Sequence, residues 1–310
     1  MSGETIATRE NLKMNRWEQI DPERAALATE FDYPVKVSNR SMNLNIQGPN
    51  DSSAQVVVLM PGRAVSAPTE DMKPLIDQLK AIRRVVTISP FGMGLSDLPD
   101  KKQTSEQRAD DFFAALQELK RQGVIPDDAR YTMVAHSQSG QANLVFANKH
   151  PETVQGVVMI DAYLPGQDEY LLSMYPDLFS DSVIDDDAES QGDLPDDNYN
   201  DVDGYTEEEK ARIRALYERN KDNDVIISEM KKSSTPESLV GLRFPDNIPT
   251  VFLTPQDTTE QAPAITDWRT EQITSSQKSK SVELPGTHFL HHTQAPAIAQ
   301  EILSISEPIW

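Results

Sequence analysis

A chain of 310 residues with a formal charge of −21 and no cysteine has no disulfide framework, no thiolate metal site and no thiol nucleophile. The charge repels polyanions, so neither nucleic acid nor an anionic membrane surface is an expected partner. Apolar residues (37 %) fall in short runs such as Val56 to Met60, none near the ~20 residues of a membrane span, and Met1 to Thr5 lack the basic flank and apolar stretch of a secretory signal. A soluble, cytoplasmic protein with one large domain and an insertion is therefore expected.

In chain order, residues 1–32 read as a polar amphipathic helical extension carrying Trp17, Ile20, Ala25 and Leu27. Two strands with alternating character follow, Val35 to Val37 and Met42 to Ile46, and then a buried strand from Val56 to Met60 that ends in Pro61-Gly62. A helix from Met72 to Ile82 leads to strand Val85 to Ile88 and to a glycine-rich turn from Pro90 to Asp97. Thr104-Ser105-Glu106-Gln107 can cap a helix whose Phe112, Phe113, Leu116 and Leu119 share one face. Strand Tyr131 to Ala135 runs straight into His136-Ser137-Gln138-Ser139-Gly140 and another helix, and strand Val157 to Ile160 ends in Asp161. Strand Thr250 to Leu253, helix Pro263 to Ile273, strand Val282 to Leu284 and a helix from Ala295 complete the pattern. Strands alternating with helices specify an α/β fold, a mostly parallel eight-stranded sheet with helices on both faces. Its core spans 33–164 and 248–310, interrupted by an acidic helical lid at 165–247.

That insertion carries the charge. From Asp181 to Glu209 acidic side chains recur without one Lys or Arg, which marks a solvated loop. Asp201-Val202-Asp203-Gly204 has part of an EF-hand pattern, but aligning its glycine puts Tyr199 at the first ligand position and Lys210 at the last. No metal and no cofactor are expected.

A serine hydroxyl needs a base, a group to orient that base and donors placed where negative charge develops. Ser137 stands between a β-branched strand and a helix, with the small residues Ala135 and Ser139 two positions away on either side. A sharp strand-to-helix turn requires such flanks. Ala135 to Gly140 resembles the Gly-His-Ser-x-Gly-Gly elbow of the α/β-hydrolase superfamily, with Ala and Ser in place of two glycines. Met60-Pro61-Gly62-Arg63, the turn from Pro90 to Asp97 and Gly286-Thr287-His288-Phe289 resemble that family's other loops, in the same order.

The resemblance implies Ser137 as nucleophile and His288, after the last strand, as base. Of the other histidines, His136 has a structural position, His150 suits a helix end before Pro151, and His291 and His292 precede the last helix. Two carboxylates compete to orient the base: Asp257, in Thr254-Pro255-Gln256-Asp257, is favoured, and Asp161 is the alternative. Backbone N–H groups of Gln138 and Arg63 are expected to form the oxyanion hole, Pro61 having none to give. Gly62, His136, Tyr163, Leu164, Tyr170, Met174 and Phe289 are expected to bind substrate, with Leu171, Tyr175, Leu178 and Phe179 as further apolar residues near the lid.

The expected partner is a small-molecule substrate, with no nucleic acid and no membrane, and a homodimer is compatible with the chain. The expected chemistry is cleavage of a carboxylic ester or lactone of a small, largely apolar, neutral substrate through an acyl-enzyme. C–C bond hydrolysis, cyclisation or acyl transfer on the same triad, and a ligand receptor that retains the fold, are the alternatives. The resemblance also excludes epoxide hydrolase and haloalkane dehalogenase chemistry, which places an aspartate at the elbow where this chain has Ser137.

Overall fold

The computed structural model of the protein describes residues 16–17, 20–50, 55–99, 101–174, 204–223 and 237–306. Eight strands form one sheet: β1 (Asp32–Val37), β2 (Arg40–Gln47), β3 (Gln55–Met60), β4 (Arg84–Ile88), β5 (Arg130–His136), β6 (Val154–Ile160), β7 (Thr250–Pro255) and β8 (Lys280–Leu284). Their order is β1-β2-β4-β3-β5-β6-β7-β8. β1, β2 and β4 pair antiparallel, and every later pairing is parallel.

The apolar runs explain the order. β3, β5, β6 and β7 are buried along nearly their whole length because helices cover both faces. Successive side chains of a strand point to opposite faces, so Val56, Val58 and Met60 join one core and Val57 and Leu59 the other. The first core is closed by α4 (Ser105–Arg121), α5 (Ser139–Lys149) and α9 (Ala264–Gln272), the second by α3 (Lys73–Leu79) and α11 (Ala295–Ser306). The helix after β3 and the helix after β5 thus pack on opposite faces. The connections diverge between these two neighbouring strands, which is where an open α/β sheet forms its crevice.

At the start of α4, Thr104 Oγ1 accepts from Gln107 N–H (3.2 Å) while Gln107 Oε1 accepts from Thr104 N–H (3.0 Å), the reciprocal cap expected from the sequence. At the N-terminus the described helix is one turn, α1 (Pro22–Ala25), capped by the Asp21 carboxylate. Trp17 is wholly buried beside Ala67, Leu95, Ile213 and Leu216, and its indole N–H donates to Asn43 Oδ1 at 3.1 Å.

Within the insertion, α6 (Gln167–Met174) lies against α9, with the Tyr170 and Trp268 rings 6.2 Å apart. Helix α7 (Glu207–Asn220) docks through Arg212, which pairs with Asp32 (2.9 Å) and Glu70 and donates from Nε to Leu27 O (2.6 Å). Both carboxylates are buried, so removing the guanidinium leaves them uncompensated. Arg212→Met is expected to cost about 3–5 kcal/mol, read as a lower denaturation midpoint at unchanged m-value. Tyr175, Leu178, Phe179 and the acidic run from Asp181 to Asp203 lie outside the described residues. No helix among the described residues is long and apolar enough to cross a membrane.

Candidate active site

Ser137 follows β5 directly and has φ +51°, a left-handed conformation that costs a non-glycine residue roughly 1–3 kcal/mol unless its surroundings hold it. Three backbone hydrogen bonds do so. Ser137 N–H donates to Ile160 O (3.2 Å), and its carbonyl accepts from Gly140 N–H (3.0 Å) and Tyr163 N–H (2.8 Å). The small flanks are accounted for by contact. Ala135 is fully buried, and the Ser139 hydroxyl donates to Pro61 O, which ties the elbow to the loop after β3. A Cβ at Gly140 would lie 2.6 Å from Tyr163 O and 2.8 Å from Met159 Cε. Gly140→Ala is therefore expected to destabilise the fold by roughly 1–3 kcal/mol, seen in thermal unfolding.

The loop after β3 lies against Ser137. Gly62 is buried, and a Cβ on it would sit 3.3 Å from Ser137 Cβ and 2.9 Å from His136 Nδ1. Gln138 occupies the N-cap position of α5, so its N–H stands at the positive end of a helix, suited to a developing anion. Arg63 follows Gly62 on the same loop. Its guanidinium lies near Lys102, where burial, reinforced by the Arg108 and Arg63 guanidinium groups, pushes the ammonium down.

His288 lies in the loop after β8, with its side chain 43 % exposed. Its Nδ1 is 2.6 Å from Asp161 Oδ2. The sequence favoured Asp257 for this contact, and the geometry corrects that choice. β7 continues through Pro255 and the chain enters α8 (Gln256–Gln261) at once, so Asp257 sits exposed in the first turn of a helix. Asp161 instead adopts φ +38° at the end of β6, fixed by its N–H on Leu253 O at 2.8 Å. Its carboxylate also meets Arg269 Nη2 at 2.7 Å and accepts from Thr258 Oγ1 at 3.2 Å. Burial alone would raise this carboxyl, but the Arg269 guanidinium and His288 hold it well below the usual carboxylate range.

Arg269 carries no local sequence signal: its partner Asp161 lies in a distant strand end, and Thr254, whose Oγ1 accepts from Arg269 Nη1 at 2.9 Å, lies 15 residues away. The guanidinium, 2 % exposed, is thus fixed between β7 and Asp161.

The other expected substrate contacts divide. Tyr163 is half-buried beside the elbow and gives its backbone N–H to Ser137 O. Phe289 is half-buried over His136, with ring centroids 5.4 Å apart. Of the others, Leu164 is buried in the main core, Met174 is 55 % exposed at the end of α6, and His136 is buried at the end of β5. Tyr170 packs against that core and Trp268. His136 Nε2 donates to His288 O at 3.0 Å, since a carbonyl only accepts. Burial, with the nearby His291 and His288, holds the His136 ring well below the ordinary imidazole range. His150 ends α5, and its ring stacks on Phe113.

No protein-family model matches the chain. The protein YbdG of Bacillus subtilis (strain 168), described as uncharacterized, is 25 % identical over 143 residues, which span 46 % of this chain and only 41 % of that one. Solved structures match over a much larger share. Smu.1393c of Streptococcus mutans superposes with a TM-score of 0.65 at 14 % identity, covering 88 % of this chain and 97 % of that one. The CarC serine hydrolase involved in carbazole degradation gives 0.58 at 16 % identity over the same shares. A loop variant of the haloalkane dehalogenase DbeA of Bradyrhizobium elkanii gives 0.61 at 17 %, again over 88 % and 97 %.

Proposed function

We propose that this chain, an α/β-hydrolase by its fold, is a serine hydrolase that cleaves a carboxylic ester or lactone of a small, largely apolar, neutral substrate. The observation that carries this reading is Ser137 held at positive φ, its neighbour His136 bonded to the backbone of a loop whose His288 has its Nδ1 fixed by the buried Asp161.

In this reading His288 Nε2 takes the proton of the Ser137 hydroxyl as its oxygen attacks the ester carbonyl. Asp161 holds the ring with Nδ1 as donor and stabilises the imidazolium that forms. The N–H groups of Gln138 and Arg63 receive the tetrahedral oxyanion. Collapse expels the alcohol, which takes its proton from His288. Water, deprotonated by the same imidazole, then attacks the acyl-enzyme and releases the acid and Ser137. The preference for neutral substrates rests on the net charge of −21, which disfavours approach of anions.

The test pairs a fluorophosphonate probe with p-nitrophenyl esters of graded acyl length. Stoichiometric labelling and turnover of short or medium esters are expected. Labelling without turnover of any ester would refute the ester assignment and turn the search to C–C bond cleavage or acyl transfer on the same serine. Failure to label would refute an activated serine and favour a binding protein.

A further inference from the structure

Behind the elbow, three more ionisable side chains converge from three elements. They are Asp71 at the end of α2 (Pro68–Asp71), His136 at the end of β5, and His291 in the short helix α10 (Leu290–Thr293). All three are buried, and one ligand-competent atom of each lies within 4.8 Å of the other two. The ester hydrolysis proposed above uses none of them.

The hydrogen bonds leave donor capacity for a ligand. Because His136 Nε2–H is committed to His288 O, its Nδ1 carries a bare lone pair. That atom is buried with no hydrogen-bond partner among the described residues. It faces Gly62, and a Cβ there would stand 2.9 Å away, so glycine keeps this space open. His291 meets the carboxylate through Nε2, 3.1 Å from Asp71 Oδ1, and its Nδ1 is buried without a partner among the described residues, so a metal at Nε2 replaces a proton that Nδ1 can carry. Leaving a buried polar atom unsatisfied costs about 1–3 kcal/mol, and here the unpartnered His136 Nδ1 belongs to a residue clustered with His291 and a carboxylate. Two imidazoles and one carboxylate form a donor set that suits zinc, a borderline ion bound through nitrogen and oxygen.

We propose that Asp71, His136 and His291 form a buried three-ligand site for a divalent transition metal of the zinc type, with water as the fourth ligand. Zinc holds such ligands at roughly 2.0–2.2 Å in a tetrahedron, so binding draws the three atoms together from their present spread. α2 and α10 are each a single turn, and they supply that movement. His292, whose Nε2 lies 3.1 Å from Asp71 Oδ1, holds the ligating carboxylate in orientation, as outer partners of metal ligands do. The ion would pin α2, β5 and α10 to one point, next in sequence to Ser137 and three residues past His288. Its role is structural, and it touches no substrate.

The test is a Co2+ titration of the full chain after chelation. One equivalent per chain is expected, with the strong visible absorption of tetrahedral cobalt, displacement by Zn2+ and a raised Tm. His291→Gln and Asp71→Asn should abolish the band, with folding checked by circular dichroism. His292→Gln should weaken binding roughly 10–100-fold, and Ser137→Ala should leave it unchanged. No saturable band in the wild type would overturn the proposal. So would a pale six-coordinate spectrum that survives His291→Gln, which would assign the ion to surface carboxylates. Should the variants fail to fold, zinc-edge anomalous scattering from wild-type crystals decides: a peak among the three side chains supports the site, and a peak elsewhere or none refutes it. Because Ser137→Ala keeps the metal, the result stands apart from the outcome of the esterase test.

Discussion

Asp161→Asn is expected to lower kcat by about 10^4, whereas Asp257→Asn should leave kcat and KM near wild-type values. An asparagine at 161 accepts the His288 Nδ1–H poorly and offers its amide instead, which turns the ring to the wrong tautomer, and it carries no charge to steady the imidazolium. Asp257, exposed in the first turn of α8, has no such task. One complication needs a control. Arg269 is 2 % exposed and pairs with Asp161 at 2.7 Å, so the single substitution also strands a buried guanidinium at about 3–5 kcal/mol. The double variant Asp161→Asn, Arg269→Met removes that penalty. Recovered stability with activity still lost would separate the catalytic effect from folding. Equal activity of the Asp161 and Asp257 variants would disprove the assignment of the acid.

Ser137→Ala is expected to remove fluorophosphonate labelling and to reduce kcat by on the order of 10^6 for any ester the wild type turns over. The fold should persist, because the positive φ is held by backbone bonds to Ile160, Gly140 and Tyr163 that need no hydroxyl. Alanine in this conformation is little worse than serine. Residual labelling in the variant would show that the probe reacts elsewhere and would withdraw Ser137 as nucleophile.

Much of this architecture was legible from local pattern. Apolar runs and short alternating segments marked the eight strands, because a run of strand length bounded by turn residues has few other ways to be buried. The elbow was legible because steric demand confines Ala135, Ser139 and Gly140 to small residues. The acid was not. Asp161 and Asp257 both follow apolar strands, and only the local backbone separates them: a left-handed residue after β6 directs one inward, while immediate helix entry after β7 leaves the other exposed. The burial of Leu164 and the exposure of Met174 were illegible for a related reason, since apolar character in an insertion does not distinguish a core position from an exposed helix face. Arg269 and Asp71 were illegible because their partners lie far away in the chain.

The guanidinium that links Thr254 to Asp161 anchors the acid to two adjacent strands of the sheet rather than to a connecting loop. The stretch from Gln256 to Gln261 contributes the Thr258 hydroxyl to Asp161, but no charge to the His288–Asp161 pair. Nature or an engineer can therefore lengthen, shorten or replace much of that connection and reshape what approaches Ser137 from its side, with the His288–Asp161 pair left standing.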